Sequence, residues 1–195
     1  MKISDLFESE NTAITVYHGS NADFSEFDQR KARIPNDFYG GGVAYFTDSS
    51  KIAEGYARTM TRQYGGTPTV YTVKLNLGLL FDIDDTFKGD DLLNFVNRTS
   101  SVDEFLRGAK LLPLGADRYK VMSDLKSGKM ELTGEQVFKG LSNGMIKTGQ
   151  ARKILEKMGY DTLRYNGGLM MKQGHHSVYL AYHANNIDII SKRHI

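Results

Sequence analysis

The feature that most limits the fold is the separation of strand-like segments into two groups at opposite ends of the chain. Short β-branched and aromatic runs bounded by glycine predict strands at 14–17, 43–47, 69–75 and 79–82, and again at 161–165, 169–172, 177–182 and 187–190. Between the two groups, residues 85–147 show helical periodicity, with capping signals at Ser101 and Thr133. The pattern predicts an α+β fold whose sheet is assembled from distant parts of the chain, with a helical insertion at about 85–147.

Two further helices are predicted beside these strands. Ser49 or Ser50 is a suitable N-cap for a helix whose apolar residues recur at helical spacing down to Gly65. A second helix is predicted at 148–158, with Gly159 as its C-cap. Residues 1–12 are polar and weakly periodic, so we predict an amino-terminal arm ahead of a single domain at 13–195.

Composition excludes several kinds of site and partner. The chain has no cysteine, which excludes disulfides, thiolate zinc sites, iron–sulfur clusters and a cysteine nucleophile. No segment approaches the run of about 18 apolar residues that a membrane span requires, so no membrane partner is expected. The net charge is +2, and the basic excess at the carboxyl end is spread over a helix and two strands. A nucleic-acid partner is therefore left open but is not favoured.

Two clusters of potential metal ligands have unsuitable geometry. His175 and His176 are adjacent in an extended segment, so their side chains point to opposite sides, and no carboxylate at metal-ligand spacing accompanies them. The acidic residues near Asp82 lack the glycine and the terminal glutamate of a calcium loop. We therefore predict that the site uses no metal.

Three side chains are candidates for a slot that holds a flat ligand. His18 follows the first predicted strand and precedes Gly19, whose lack of a Cβ lets its backbone N–H and C=O approach a planar amide. Tyr45 lies on the second strand and Tyr56 about two turns into the next helix, so the pair could flank one crevice. Two aromatic faces suit a planar cation, at roughly 0.5–2 kcal/mol each when desolvated. A structural histidine and ordinary tyrosine packing are the alternatives at these positions.

Taken together, these segments resemble a known enzyme family. Residues 16–20 (VYHGS), 42–48 (GVAYFTD) and 53–57 (AEGYA) are similar in type, order and spacing to the first two motifs of ADP-ribosyltransferases of the diphtheria-toxin and poly(ADP-ribose) polymerase branch. Residues 155–164 and 177–190 resemble the closing helix, strand and β-ribbon of compact phage and bacterial members. The resemblance covers roughly 14–82 and 148–192, and it implies a split ADP-ribosyltransferase-like β-sheet core.

The resemblance implies NAD as co-substrate and gives roles to individual residues. In that family the histidine contacts a ribose hydroxyl of NAD, the glycine backbone holds the nicotinamide carboxamide, and the tyrosines stack on or beside the nicotinamide ring. The residues carried over as catalytic are His18, Tyr45 and Tyr56. The residues carried over as cofactor-binding are His18, Gly19, Ser20, Tyr45, Phe46 and Tyr56.

The third motif departs from the family pattern. Many members carry a glutamate at the start of the last core strand, where its carboxylate binds the nicotinamide-ribose hydroxyls and supports the developing positive charge. Alignment of residues 178–182 (VYLAY) with that strand puts Val178 at this position, and valine can neither accept a hydrogen bond nor stabilise a cation. Gln173, His176 or Ser177 could substitute if the register shifts.

The resemblance implies a mono-ADP-ribosyltransferase, encoded by a phage or a bacterium, that transfers ADP-ribose from NAD to a host macromolecule. A host protein is the favoured acceptor. Val178 leaves open a catalytically inactive NAD-binding or interaction module of the same fold. The expected location is the host cytoplasm, and residues 6–8 (LFE) resemble the cleavable leader of T4-like phage internal proteins, which would package the chain in a phage head before delivery. The oligomeric state is not indicated.

Overall fold

The structure is a computed structural model that describes residues 12–28, 30, 39–112, 117–144, 148–167 and 175–195. Contacts between Cα atoms divide the chain into two compact units. The first unit comprises Met1–Arg33, Gly42–Leu80 and Tyr160–Ile195, and the second comprises Ile34–Gly41 and Phe81–Gly159. The first unit thus draws its parts from both ends of the sequence, while the boundaries predicted for the insertion, about 85–147, stay a prediction.

The elements follow one another in an order that mixes strands and helices. They are β1 (Ala13–Ser20), β2 (Ala44–Thr47), α1 (Ser50–Tyr64), β3 (Thr69–Asn76), β4 (Leu79–Asp82), β5 (Thr86–Lys88), α2 (Gly89–Asn97), α3 (Val102–Gly108), α4 (Arg118–Lys126), β6 (Glu131–Thr133), α5 (Gly134–Leu141), α6 (Thr148–Lys157), β7 (Tyr160–Asn166), β8 (Ser177–Ala181) and β9 (Ile187–His194). A short 3-10 helix at Ala184–Asn186 precedes β9. The predicted α+β class is confirmed by this mixture.

One sheet of seven strands runs through the first unit in the order β4–β7–β8–β2–β1–β3–β9. β1 pairs antiparallel with β3 along its whole length, from Ala13 opposite Asn76 to Ser20 opposite Thr69. β2 pairs antiparallel with β8, and β9 pairs antiparallel with the outer edge of β3. The sheet therefore joins residues from the two ends of the chain.

Helix α1 has the end signals that the sequence predicts. The Ser49 hydroxyl accepts a hydrogen bond from the Ile52 N–H at 3.4 Å, which satisfies one of the unpaired donors of the first turn. Gly65, at a φ of 75°, ends the helix, and its N–H donates to the Thr61 carbonyl at 2.8 Å. A residue with a Cβ rarely adopts this φ, so glycine fixes the end of α1.

The two faces of the sheet are covered by different apolar groups. On one face, Val16 of β1 packs in a cluster with Phe46, Tyr71, Val73, Leu75, Leu77 and Ala181. On the other face, Tyr17 packs against Ala53 and Ala57 of α1. A Cβ placed on Gly19 would lie 2.0 Å from the Ala53 carbonyl oxygen, so α1 lies directly on β1. Gly19 is needed for this close approach.

The second unit is mainly helical, and its helices carry the predicted caps. Thr133 and Gln136 form a reciprocal capping box at the start of α5, and the Ser101 hydroxyl accepts the Glu104 N–H at the start of α3. Its buried aromatic residues include Phe105 and Phe138. Within the described residues of the whole chain, none of the helices has the length and apolar character needed to cross a membrane.

The structure differs from the sequence predictions in four strands. β1 continues through His18 to Ser20, so the histidine lies inside a strand and not after it, because β3 pairs with every residue of β1. β9 extends beyond Ile190 to His194, and the antiparallel pair β5 and β6 was not predicted. The strand predicted at 169–172 lies outside the described residues, as do residues 1–11 of the predicted arm.

Candidate active site

The pairing between β1 and β2 ends early and leaves a gap. The register between these strands contains one pair among the described residues, Tyr17 opposite Thr47. The next hydrogen-bonded pair of the ladder would be Gly19 opposite Tyr45. The Tyr45 carbonyl oxygen instead accepts a hydrogen bond from Nδ1 of His18 at 2.8 Å. The His18 imidazole therefore takes the hydrogen-bonding position that the next backbone pair of the ladder would occupy.

Strand alternation shows which way the peptide groups at this gap point. In an antiparallel sheet, the N–H and C=O groups of alternate residues point to the same neighbouring strand. The Asp48 N–H donates to the Ser177 carbonyl of β8 at 3.3 Å, so the peptide groups of Thr47 point the other way, toward β1. Thr47 and Tyr17 are then a hydrogen-bonded pair, and the N–H and C=O of Gly19, two residues further on, point into the gap. Gly19 offers one donor and one acceptor side by side, which is the complement of a carboxamide.

The hydrogen bond to Tyr45 fixes the tautomer of His18. A carbonyl oxygen can only accept, so Nδ1 carries the hydrogen, and Nε2 of the neutral ring is an acceptor. Burial lowers the pKa of His18 to about 4, so the ring is neutral at physiological pH. The neutral ring therefore keeps one acceptor nitrogen, which suits a ligand that donates from a hydroxyl group.

We expect His18 to make the free energy of unfolding depend on pH. Because its pKa in the folded protein lies below the ordinary value of 6.5, the unfolded chain binds the proton more readily. The contribution of His18 to stability is complete above about pH 6.5 and is lost as the pH falls toward 4, by about 3 kcal/mol in all. Urea unfolding across this range should show a larger loss for the wild type than for His18→Gln. An equal loss in both proteins would assign the pH dependence to other groups.

The imidazole of His18 lies among aromatic rings. Ring centroids 5.2–6.2 Å from it belong to Phe24, Phe27, Phe46 and Tyr71. The Tyr71 hydroxyl accepts from the Phe24 N–H at 2.8 Å and donates to the Ala22 carbonyl at 2.9 Å, which fixes the loop after β1 to β3. Burial also raises the pKa of Tyr71. Tyr71 was not predicted as a site residue, because its one signal in the sequence is its place in the alternating run at 69–75.

Tyr45 and the His18 ring lie on opposite faces of the sheet. The Phe46 ring packs 5.8 Å from the His18 ring, between centroids, so Phe46 and His18 share a face. Tyr45, the strand neighbour of Phe46, projects from the other face, which is the face that carries α1. The structure therefore separates the predicted histidine from the predicted tyrosines by the thickness of the sheet, and the gap beside Gly19 lies between them.

Tyr56 lies on the flank of α1 that is nearer to β2. Glu54 forms an ion pair with Arg193 of β9, so the flank that carries Glu54 faces β9, on the far side of β3. At 3.6 residues per turn, Tyr56 lies about 160° around the helix from Glu54 and faces the opposite way. Tyr56 lies on the same side of the sheet as Tyr45, and Tyr56 is 54% exposed. Tyr56 is thus an aromatic side chain that the core does not use.

The Tyr45 hydroxyl is buried and has no hydrogen-bond partner among the described residues. An unpaired buried hydroxyl costs about 1–3 kcal/mol of stability, which is rarely retained where packing alone matters. Tyr45 therefore keeps a hydroxyl whose hydrogen-bonding capacity the described residues do not use.

Tyr45→Phe is expected to leave the protein as stable as the wild type or to stabilise it by about 1 kcal/mol, because it removes the unpaired hydroxyl and keeps the ring. Tyr71→Phe is the matched control, and it should destabilise by about 1–2 kcal/mol because two hydrogen bonds are lost. Urea unfolding of both variants measures the difference. Destabilisation of Tyr45→Phe to the level of Tyr71→Phe would mean that the Tyr45 hydroxyl has a partner in the protein.

Val178 occupies the place that the family alignment gives to the third motif. It lies on β8 opposite Thr47 of β2 and Tyr165 of β7. Thr47 and Tyr45 are two residues apart on β2, so Val178 shares their face of the sheet. The side chain at the third position is therefore apolar and lies on the face of the tyrosines.

Of the three possible substitutes for Val178, His176 lies beside it. A Cβ placed on Gly167 would lie 2.4 Å from Nε2 of His176 and 2.6 Å from Cγ2 of Val178, so the two side chains are neighbours. Ser177 projects from the opposite face by alternation, and its N–H donates to the Asp48 carboxylate at 3.1 Å. Gln173 lies outside the described residues.

Ser20, predicted in the cofactor-binding set, has a local role in the structure. Its hydroxyl accepts the Ala22 N–H at 3.0 Å, which stabilises the turn that leaves β1. Phe46 is buried in the cluster around His18, so its contact is with the imidazole ring. Ser20 thus stabilises the turn after β1, and Phe46 packs against the His18 ring. A direct contact of either residue with NAD stays a prediction.

Comparison with known proteins gives one informative match. A model of the family described as "ADP-Ribosyltransferase in polyvalent proteins" matches residues 9–194. A solved structure titled "Crystal structure of an anti-CRISPR protein" is similar over 94% of this chain and 96% of that chain, at 11% identity and a TM-score of 0.34, which is too weak to support an argument. A search of curated proteins found no significant match. Because the family model covers nearly the whole chain, the chain belongs to the ADP-ribosyltransferases of polyvalent proteins.

Proposed function

We propose that this chain transfers the ADP-ribosyl group of NAD to a protein acceptor. The observation that carries the proposal is the gap between β1 and β2, where the Gly19 N–H and C=O point toward β2 beyond the last pair of the ladder and the neutral His18 ring keeps Nε2 as an acceptor. Nicotinamide brings a carboxamide that matches the first feature, and a ribose brings hydroxyl donors that match the second. Membership of the family supports NAD as the donor.

Tyr45 and Tyr56 provide the aromatic surfaces in this proposal. The nicotinamide ring of NAD is flat and positively charged, and aromatic faces attract such a cation by about 0.5–2 kcal/mol. Tyr56 is exposed on the flank of α1, so its ring can cover a ligand without disturbing the core. Tyr45 lies on the same face of the sheet and brings its unpaired hydroxyl.

The reaction breaks the bond between C1′ of the nicotinamide ribose and the pyridinium nitrogen. Nicotinamide leaves with the electron pair of that bond and becomes neutral, while positive charge develops on the ribose. A nucleophilic atom of the acceptor forms the new bond to C1′ and loses its proton to solvent or to a base. His18, Gly19 and the tyrosines position the donor, and this positioning accounts for most of the rate enhancement that the site can supply.

Labelled NAD incubated with a bacterial lysate tests the proposal. We expect transfer of label to protein by the wild type, and a loss of at least tenfold in His18→Ala and in Tyr56→Ala. Tyr56 is the sharper position because it is exposed, so its removal leaves the core intact. Label transfer that survives both substitutions would contradict this site.

A second function, NAD binding without turnover, is favoured by one observation. Val178 puts an apolar side chain where family members commonly have a carboxylate, on the face of the tyrosines. In that case NAD raises the melting temperature with no release of nicotinamide. At about 100 times its dissociation constant, NAD adds about 2.7 kcal/mol of stability, which a thermal scan detects. Release of nicotinamide by the wild type would exclude this second function.

A further inference from the structure

Three residues of adjacent strands lie in one line on the His18 face of the sheet. Tyr71 of β3 is directly opposite His18 of β1, and Lys192 of β9 is directly opposite Tyr71. Residues that are opposite each other in an antiparallel ladder project from the same face. The His18 and Tyr71 rings agree with this, because their centroids are 6.1 Å apart. Lys192 therefore lies two strands from His18, on the face of the imidazole.

Residues 21–28 form a loop after β1, the Asp23 loop, which is attached to this line at two points. Nζ of Lys192 donates a hydrogen bond to the Asp23 carboxylate. The Phe24 N–H donates to the Tyr71 hydroxyl at 2.8 Å. The two anchoring residues lie 169 and 47 positions away in the sequence, so the folded sheet is needed to bring them to the loop.

The Asp23 loop supplies two of the aromatic rings around the imidazole. Phe24, the residue after Asp23, stacks on the Tyr71 ring with 4.2 Å between centroids and 13° between planes. The Phe27 ring lies 5.0 Å from the Phe24 ring and 5.2 Å from the His18 ring, between centroids. Burial is what lowers the pKa of His18, and the loop contributes to this burial. A loop that moved away would leave the imidazole more exposed to water.

The ion pair between Lys192 and Asp23 is exposed, with 41% and 46% of the two side chains accessible. The hydrogen bond from Lys192 lowers the pKa of the Asp23 carboxyl, so both partners are charged at neutral pH. His194 of the same strand also faces this carboxylate, with 3.8 Å between Nε2 and Oδ2. Exposed pairs contribute little to the free energy of unfolding. The effect expected of this pair is therefore local, on the position of the loop.

We infer that Lys192 and Asp23 are positioning residues for His18, because their ion pair holds the Asp23 loop against the imidazole. The last strand of the chain thereby takes part in building the site. The inference rests on the proposed function and adds to it two residues that act on the NAD site through His18. Breaking the pair should change the state of the imidazole and the KM for NAD together, while the melting temperature stays close to that of the wild type.

The test compares substitutions in the full chain that break the pair from either side. Lys192→Met removes a positive charge and Asp23→Asn removes a negative one, so their direct electrostatic effects on the pKa of His18 have opposite signs. Arg193→Met is the matched control, because it breaks the ion pair of the neighbouring residue with Glu54 on the other face of the sheet. The pKa of His18 is measured without ligand by NMR of ¹³C-labelled imidazole rings.

The expected result is a rise in the pKa of His18 toward its ordinary value in both Lys192→Met and Asp23→Asn, because both loosen the loop and admit water. Arg193→Met should leave this pKa at its wild-type value. Shifts of opposite sign in the two variants would show that only the charges act, and the inference would fail. An unchanged pKa in both would also overturn it.

The double variant Lys192→Met/Asp23→Asn separates loop position from charge. It leaves the net charge unchanged, so the direct effects of the two charges largely cancel, while the loop is still released. Its His18 pKa should be raised to about the level of the single variants, because all three proteins lack the same interaction. Return of the pKa to the wild-type value in the double variant would contradict a role in positioning.

Steady-state kinetics of nicotinamide release connect the pair to the site. We expect the KM for NAD to rise about threefold or more in Lys192→Met and Asp23→Asn with a smaller change in kcat, because His18 contributes to binding of NAD before the reaction. Equal KM values in these variants and the wild type would show that the pair does not act on the NAD site. A wild type that neither binds NAD nor releases nicotinamide refutes the proposed function, and the His18 titration still decides whether the pair positions the imidazole.

Discussion

Gly19→Ala is expected to destabilise the protein by about 3 kcal/mol and to abolish NAD binding. The new Cβ would lie 2.0 Å from the Ala53 carbonyl oxygen and 2.9 Å from the Ala57 nitrogen. Both atoms belong to the backbone of α1, so no side chain can rotate to relieve the clash. The helix must move away from β1, which shifts Tyr56 relative to the sheet and leaves Tyr17 with a poorer contact.

Gly55→Ala is the matched control for this substitution. It lies in the same helix, is exposed, and a Cβ there would meet nothing within 4 Å. Alanine is the better helix former, so Gly55→Ala should stabilise by about 0.5–1 kcal/mol. Urea unfolding of the two variants should give changes of opposite sign. Wild-type stability in Gly19→Ala would mean that α1 does not lie against β1 as described.

Val178→Glu is expected to raise the rate of nicotinamide release by about 100-fold, which corresponds to about 2.7 kcal/mol of transition-state stabilisation. Val178 lies on the sheet face of Tyr45, opposite Thr47, where a carboxylate would face the positive charge that develops on the ribose. The side chain is only partly buried, so the new charge remains partly solvated. Initial rates of nicotinamide release at saturating NAD measure the effect.

Val178→Gln is the control for size and polarity without charge. It should release nicotinamide within a few-fold of the wild-type rate, because an amide cannot offset a full positive charge. His176→Ala in the wild-type background tests whether the neighbouring imidazole already supports the reaction, in which case the rate falls. A folded Val178→Glu protein that binds NAD yet reacts no faster would place the third position of the motif elsewhere.

Local signals in the sequence were sufficient for most of the fold. Helix α1 could be predicted from a serine cap, an apolar stripe and a terminal glycine, all of which act within a few residues. β5 and β6 could not, because each has three residues and the pair forms between segments more than forty residues apart. The part of β9 after Ile190 was not predicted, because residues 191–194 are charged or polar and have the pattern of a tail. These residues are extended because β3 pairs with them.

The site could be predicted in its residue types but not in its geometry. The order of the motifs indicated His18, Tyr45 and Tyr56, and spacing alone placed them around one slot. The structure puts the imidazole and the two phenols on opposite faces of the sheet, because Tyr45 alternates with Phe46 and the strand register decides which of them faces His18. The gap beside Gly19 depends on where the β1–β2 ladder stops, which is a property of pairing between segments distant in sequence.

The proposed activity requires NAD to bind at the gap between β1 and β2. The direct measurement is an NMR titration with NAD of protein labelled with ¹³C in the rings of its five histidines and its tyrosines. We predict saturable shifts in the His18 and Tyr56 signals, with the same dissociation constant, while His183 and Tyr119 stay unchanged. Saturation with NAD that leaves the His18 and Tyr56 signals in place would contradict the central claim.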